Sequence, residues 1–214
     1  MSISPTPGNQ IPVWLRWTAL VWLAFWLPVY WRTWGPANFL HLCDIAVILT
    51  CIGLWFNSTL LISSQAVASL LANTAWLIDA GSGLLLPHPL IPGTESLSDP
   101  HYPLWIRLLS LYHLAMVPLV LWAVARMGYD RRGWVLQSAI ALPAFVAARF
   151  TSPADNINFA FSDPFFHRQI GPVPVHVAAS WLFIVVVAYL PTHAVLKRVF
   201  RSPVPHGSIG DGPE

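Results

Sequence analysis

Residues 38–49 constrain the fold of this chain most, because they combine an apolar helical segment with three chemically active side chains. His41, Cys43 and Asp44 lie within two helical turns of one another, at the start of an apolar run that is long enough to be a membrane helix. An ionisable group at membrane depth is costly, so such a group usually faces the protein interior or a water-filled cavity and marks a functional position. We therefore expect the rest of the chain to form a bundle around these side chains.

The composition places the chain among integral membrane proteins of the all-α class. Only 9% of its 214 residues are charged and 56% are hydrophobic, whereas soluble domains carry about 25% charged residues. The length suits a single domain, and the net charge of +2 gives no indication of a nucleic-acid partner. Membrane lipids are the expected partners, no cofactor or metal ion is predicted, and the oligomeric state is left open.

Six apolar segments predict a bundle of six transmembrane helices, since roughly 20 apolar residues span the core of a bilayer. They cover approximately residues 12–34, 39–56, 59–80, 104–125, 134–150 and 175–196. The chain then divides into a disordered N-terminal tail (1–11), the transmembrane domain (12–196) and a basic, disordered C-terminal tail (197–214). The sequence shows no internal repeat and no clearly broken helix.

The distribution of Lys and Arg predicts the orientation of this bundle. Six helices put both termini on one side, and that side carries seven basic residues against four on the other. The positive-inside rule therefore predicts cytoplasmic termini. The two long connections, residues 81–103 and 151–174, then lie outside, and loops of that length in a compact protein are usually functional or disordered.

Polar side chains of the third predicted helix follow one face. Gln65, Ser69 and Asn73 are spaced by four residues and therefore share a face, and Trp76 and Asp79 extend it toward the end of the helix. We call these five residues the polar stripe and expect it to face the interior of the bundle. Hydrogen bonding between helices is one explanation of the stripe, and the lining of a polar site is the other.

Depth along the predicted helices indicates that polar groups converge in the outer half of the bundle, whereas the cytoplasmic half is nearly free of them. Arg107, near the outer interface, either binds a lipid phosphate or extends its charged group to the headgroup region. The polar residues expected in the outer half, together with Arg107 as a candidate for binding a lipid phosphate, are Cys43, Asn73, Asp79, Arg107, His113, Asn156, Asn158 and His176.

Cys43 and His113 are the pair of these residues that is best suited to nucleophilic catalysis. A thiol is mostly protonated near pH 7, and a neighbouring imidazole can accept its proton and release a strong nucleophile, which suits acyl transfer through a thioester. Their predicted depths differ by four residues, roughly 6 Å of helical rise, which tilt and side-chain length can absorb. The alternative is structural: a buried cysteine often acts as a small apolar residue, and a membrane histidine often bridges helices.

A series of short motifs resembles the YwaF-type family of membrane proteins, whose eukaryotic relative is transmembrane protein 164. In chain order the motifs are residues 40–46 (LHLCDIA), Trp76 followed by Pro87, Tyr112-His113, residues 155–159 (DNINF), residues 171–174 (GPVP) and residues 189–191 (YLP). The resemblance covers about residues 38–192. It implies a phospholipid acyltransferase or a lipid ester hydrolase with the nucleophile at Cys43 and the base at His113, and we expect a bacterial inner-membrane location.

Three functions follow from these observations. In the first, Cys43 attacks an acyl ester and His113 accepts the thiol proton, while Asn73, Asn158 or Arg107 stabilises the oxyanion or the headgroup. Asp79 and Asn156 complete the candidate substrate-binding residues. The second function is haem or small-ligand binding through His41, His113 and His176. The third is a carrier whose path is lined by the polar stripe, although carriers usually show inverted repeats or broken helices.

Overall fold

A computed structural model describes residues 10–83, 94, 97 and 99–200, and the regular structure in this part of the chain is helical. The predicted all-α class is therefore confirmed for these residues. The α-helices are α1 (Val13–Trp34), α2 (Leu42–Phe56), α3 (Thr59–Ser82), α4 (Leu104–Leu109), α5 (Tyr112–Met127), α6 (Gly133–Ala148), α7 (Val173–Ile184) and α8 (Leu190–Val199). Two 3-10 turns, Pro36–Leu40 and Ile157–Phe159, and a π-helical segment, Val185–Tyr189, complete the fold.

The helices have the lengths and surfaces of an integral membrane protein. Among the described residues, four helical stretches are long and apolar enough to cross a bilayer: Val13–Trp34, Thr59–Ser82, Leu104–Met127 and Val173–Val199. The apolar helices α2 and α6 are shorter, with 15 and 16 residues, so length alone does not require them to cross. Large apolar side chains of α1 are exposed, as expected of a surface that faces lipid.

Helix α3 lies at the centre of the bundle and packs against α2, α5 and α6. Four members of the polar stripe, Gln65, Ser69, Asn73 and Asp79, are at most 2% exposed. The prediction that this stripe faces the interior is therefore confirmed. The upper end of the bundle is defined as the end where α1 ends and α2 begins, and the lower end as the end where α2 ends and α3 begins.

Gly133 allows α6 to approach α3 closely at the lower end. A Cβ atom at this position would lie 2.8 Å from the carbonyl carbon of Ser63 and 2.9 Å from its Cβ. The backbone N–H of Asp130 donates a hydrogen bond of 2.9 Å to Ser63 Oγ in the same contact. Small residues at such crossings let the backbones of membrane helices pack directly.

We expect Gly133→Ala to destabilise the protein by about 1–3 kcal/mol, because the added methyl group has no space without a backbone shift. Thermal unfolding in detergent measures the effect. Gly81→Ala is the matched control, since Gly81 is also helical and its Cβ would meet nothing within 4 Å. Equal melting temperatures for the two variants would contradict the close approach.

The helix predicted over residues 104–125 is interrupted, which corrects the expectation of unbroken helices. Helix α4 ends at Leu109 and α5 begins at Tyr112. At the break the backbone hydrogen bonds run to the residue three positions earlier instead of four. Ser110 N–H donates to the Arg107 carbonyl, and His113 N–H donates to the Ser110 carbonyl. The second predicted helix is likewise broken, at His41. Broken membrane helices are tolerated where the freed groups find partners in the protein.

The ends of the bundle differ slightly from the predicted boundaries. Ile11, which falls in the predicted N-terminal tail, is buried, and its N–H donates a hydrogen bond of 2.8 Å to Asn57 Oδ1. The last helix continues to Val199, beyond the predicted end at residue 196. The remainder of both predicted tails, residues 1–9 and 201–214, lies outside the described residues, as does Pro87 of the family-like motifs.

Candidate functional site

A buried carboxyl group organises the upper end. Asp44, in the first turn of α2, is 2% exposed. Its Oδ1 accepts a hydrogen bond of 2.8 Å from the Tyr112 hydroxyl, and its Oδ2 accepts one of 2.6 Å from Asn38 Nδ2. These bonds join the 3-10 turn, α2 and α5. No Lys or Arg forms an ion pair with Asp44 in the described part of the chain, so hydrogen bonds from neutral groups offset the cost of its burial.

The thiol of Cys43 lies beside the hydroxyl group of Tyr112. A tyrosine hydroxyl has a single hydrogen, and that hydrogen is donated to Asp44. The side chains of Cys43, Tyr112 and Asp44 thus lie along one path from the thiol to the carboxyl group.

His113 is held in one orientation by its neighbours. Its ring stacks on Trp76 with centroids 4.2 Å apart and on Tyr112 with centroids 4.1 Å apart. Its Nδ1 lies 2.7 Å from the carbonyl oxygen of Ser110, at the break before α5. Because a carbonyl only accepts, Nδ1 carries the hydrogen and the neutral ring presents the lone pair of Nε2. This is the tautomer that a general base at Nε2 requires.

Tyr112 neighbours both members of the predicted dyad. Its hydroxyl lies beside the thiol of Cys43, and its ring stacks on that of His113. No hydrogen bond joins Cys43 directly to His113 among residues 10–83 and 99–200. We call Cys43, Asp44, Trp76, Tyr112 and His113 the Tyr112 cluster. His41 is close enough to interact electrostatically with His113.

Asn158 fixes the start of α2 from a distant loop. Its Oδ1 accepts a hydrogen bond of 3.1 Å from the N–H of Leu42, and its Nδ2 donates one of 2.7 Å to the carbonyl of Leu40. The first N–H groups of a helix lack partners within the helix, so Asn158 acts as a cap that is supplied across 116 residues. Since Leu42 precedes Cys43, this contact positions the nucleophile candidate.

Asn156 stabilises the loop that carries Asn158. Its Nδ2 donates to the carbonyl and the hydroxyl of Ser162, and its Oδ1 accepts from the backbone N–H groups of Phe161 and Ser162. The amide groups of both asparagines, predicted to bind substrate, are thus bonded to other parts of the protein. In this arrangement Asn156 and Asn158 are positioning residues.

His176 connects the same loop to α7. The side chain is fully buried, its Nδ1 accepts from the N–H of Ile170 at 3.1 Å, and its Nε2 lies 3.0 Å from the carbonyl of Phe159. Both ring nitrogens therefore have backbone partners. This geometry disfavours His176 as the axial ligand that the haem hypothesis assigns to it.

Asp163 closes the loop through its carboxylate. Oδ1 accepts from the backbone N–H groups of Phe165 and Phe166 at 2.9 and 2.7 Å, and Oδ2 accepts from that of Arg168. The N–H of Phe166 is the largest of the influences that hold the pKa of this carboxyl below its ordinary value. The ionised carboxylate therefore stabilises the loop that carries Asn158 and contacts His176.

We expect the loop to loosen as the pH falls below about 4, the ordinary pKa of an aspartate. Because the pKa of Asp163 is lower in the folded loop than in the unfolded chain, its ionised carboxylate stabilises the folded loop fully at pH values above the unfolded-state pKa. This stabilisation is lost as the pH falls through the lower folded-state pKa. Hydrogen exchange of the Phe165 and Phe166 amides, corrected for intrinsic rates, measures the change. Asp163→Asn should remove this pH dependence, and Asp155→Asn, an exposed control in the same loop, should retain it. A transition that persists in Asp163→Asn would contradict the assignment.

The remaining predicted substrate-binding residues also lie toward the upper end. Asp79, near the end of α3, accepts a hydrogen bond at Oδ2 from the Thr94 hydroxyl. Asn73 is buried six positions before it in α3. Arg107 donates from Nη1 to the Leu97 carbonyl at 3.2 Å, whereas its buried Nε finds no partner among the described residues.

The lower half contains a polar network, contrary to the expectation that it is nearly free of polar groups. Gln65 Nε2 donates to Gln137 Oε1 at 3.4 Å, and Gln137 Nε2 donates to the Tyr189 hydroxyl at 3.3 Å. Tyr189 ends the π-helical segment, which precedes Pro191. Proline cannot donate to the carbonyl four residues earlier, and π-helical turns accommodate such defects.

Sequence reasoning assigned no role to Tyr112 or Asn38. Tyr112 was noted only as the neighbour of His113, and no local pattern links it to Asp44, 68 residues earlier. The one available signal was the presence of a carboxyl group next to Cys43 in an apolar segment, since a buried carboxyl requires donors from another helix.

Comparison of this chain with protein-family models, curated proteins and solved structures found no match. Fold and geometry define a helical protein of the integral membrane class with a half-buried thiol, a buried carboxyl group and a buried imidazole around one tyrosine. The resemblance to the YwaF-type family rests on the sequence motifs and remains a prediction.

Proposed function

We propose that the chain is a six-helix membrane enzyme that transfers or hydrolyses lipid acyl groups through Cys43. Termini in the cytoplasm and location in a bacterial inner membrane are part of this proposal. The long apolar helices support it, and so does the seven-to-four distribution of basic residues. The 3-10 turn Pro36–Leu40 extends the short second segment toward the roughly 20 residues needed for a crossing.

The observation that carries the proposal is the position of Tyr112, in contact with the Cys43 thiol, the Asp44 carboxyl and the His113 ring. The proposed nucleophile, Cys43, and the proposed base, His113, are thus both neighbours of Tyr112, and the His113 ring has a fixed orientation, which supports the proposal. Nucleophile and base need to approach hydrogen-bond distance, directly or through one water, and this contact often tightens only when substrate binds.

The reaction follows from these groups. Cys43 Sγ forms a bond to the ester carbonyl carbon while its proton moves to His113 Nε2. The tetrahedral intermediate then expels the alcohol, which takes the proton from the imidazolium, and a thioester remains on Cys43. Water or an acceptor hydroxyl next attacks the thioester, giving its proton to His113, and the released thiolate recovers that proton. Hydrolysis and transfer differ only in the second nucleophile.

The other residues bind or position in this scheme. Arg107, whose Nη1 donates to the Leu97 carbonyl, supplies its positive charge to a lipid phosphate. Asn73 and Asp79, buried in α3 toward the upper end, complete the proposed substrate-binding residues. Asn158 holds the start of α2, and Asn156 holds the loop that carries Asn158.

Product analysis in lipid nanodiscs tests the proposed function. The purified protein is incubated with a defined phospholipid, with and without a lysophospholipid acceptor, and free fatty acid and new diacyl lipid are quantified by mass spectrometry. We expect Cys43→Ala to abolish both products and Cys51→Ala, a control at the second free cysteine, to retain them. Equal product formation in Cys43→Ala would contradict the proposal.

The second candidate function is a carrier, which the interruptions at His41 and at residues 110–111 favour. Discontinuous helices beside a buried polar stripe are typical of transport sites. Uptake of labelled polar solutes into proteoliposomes distinguishes this function, because a carrier retains transport in Cys43→Ala.

A further inference from the structure

A groove separates α1 from α2 at the upper end and faces the outside of the bundle. It has a volume of about 480 Å³, within the range of roughly 300–1,000 Å³ that is usual for ligand pockets. Its surface is almost entirely apolar. The lining residues are Leu27, Pro28, Trp31, Arg32, Phe39 and Ile48.

Charge and apolar surface are separated along this groove. Arg32 lies in the last turn of α1 and is exposed. Its apolar stem lines the groove, and its guanidinium group forms no ion pair or hydrogen bond with the part of the chain that the structure describes. Leu27 lies five residues earlier in α1, about 7 Å lower, and Ile48 lies about 9 Å from the start of α2.

We propose that this groove binds an anionic phospholipid, with one acyl chain against Leu27 and Ile48 and the phosphate at Arg32. An apolar groove that begins at an arginine without a partner among the described residues matches a lipid in both shape and charge, and an arginine at a helix end reaches the headgroup level. Trp31, exposed beside Arg32, is the residue type that is enriched at that level. The proposal stands independently of catalysis at Cys43.

One aromatic layer separates this groove from the Tyr112 cluster. Phe39, in the groove wall, meets the buried ring of Trp26 edge-on with centroids 5.7 Å apart, and Trp26 meets Tyr112 in the same way at 5.7 Å. A lipid in the groove therefore lies next to the proposed catalytic residues without contacting them. The proposed lipid site thus lies beyond the proposed active site.

Photo-crosslinking in nanodiscs tests the binding site. The probes are phosphatidylglycerol and phosphatidylcholine, each with a diazirine in the middle of one acyl chain, added at equal fractions to the full-length protein. Peptide mapping should find the anionic probe attached near Leu27 and Ile48 about fivefold more often than the zwitterionic probe, the factor expected for one arginine at a lipid surface. Arg32→Gln should abolish this preference and Arg32→Lys should retain it.

Three further variants make the result specific. Arg198→Gln, an exposed arginine of α8, should leave the preference unchanged. Ile48→Trp fills the groove and should reduce labelling by both probes, and a thermal melt confirms that it folds. Cys43→Ala should label as the unmodified protein does, so a failure of the catalytic proposal leaves this test intact. Equal labelling by the two probes, or an unchanged preference in Arg32→Gln, would overturn the inference.

Discussion

Replacing His113 by asparagine is expected to slow the reaction of Cys43 with an electrophilic lipid analogue at pH 7 by about 10²- to 10⁴-fold, the range that a general base contributes. Asparagine retains an N–H donor that can reach the Ser110 carbonyl, which His113 Nδ1 contacts at 2.7 Å, but it has no basic nitrogen. The variant therefore separates the chemical role of the ring from its structural role.

The rate is measured by quantifying labelled Cys43 peptide over time by mass spectrometry. His193→Ala is the control, because His193 also belongs to a helix but contacts Tyr129 instead of the Tyr112 cluster. Its labelling rate should equal that of the unmodified protein. An unchanged rate in His113→Asn would show that the thiol is activated by another group, and the path through Tyr112 to Asp44 would then be the candidate.

Replacing Asp44 by alanine is expected to lower the free energy of unfolding by about 3 kcal/mol. The Tyr112 hydroxyl and Asn38 Nδ2 would each lose their acceptor, and a buried donor left without a partner costs about 1–3 kcal/mol. Asp44→Asn retains a carbonyl oxygen for one of these donors, so its loss should be smaller. Equilibrium unfolding in mixed micelles gives the three free energies.

A double-mutant cycle assigns this effect to a particular contact. In Tyr112→Phe the hydroxyl is absent, so adding Asp44→Ala should cost less than it does in the unmodified protein, by at least about 0.5 kcal/mol. Strict additivity of the two substitutions would contradict the hydrogen bond as the source of stability.

The helical architecture was accessible from the sequence because apolar runs and turn residues mark helices directly. Predicted and observed α1 agree within one residue, and the four-residue spacing of Gln65, Ser69 and Asn73 correctly indicated a buried face. The break at Ser110 was not predictable in this way, since residues 104–111 contain no glycine or proline to mark it.

The detailed site depends on contacts between distant parts of the chain. Spacing along one helix gives the depth of Cys43 and His113, but the rotation and tilt of α2 and α5 decide which side chain lies between them. Tyr112 occupies that position. Similarly, the hydrogen bond by which Asn158 caps α2 joins residues that are 116 positions apart, and no local sequence pattern predicts such a bond.

The most direct test of the central claim is the detection of an acyl group on Cys43. The protein in nanodiscs is mixed with a phospholipid of one defined acyl chain, quenched in acid after short times and examined by intact-mass and peptide mass spectrometry. The account predicts an added mass equal to that acyl group on the Cys43 peptide, removable by neutral hydroxylamine as thioesters are and absent in Cys43→Ala. Lipid turnover without any acylated Cys43, or an adduct confined to Cys51, would contradict it.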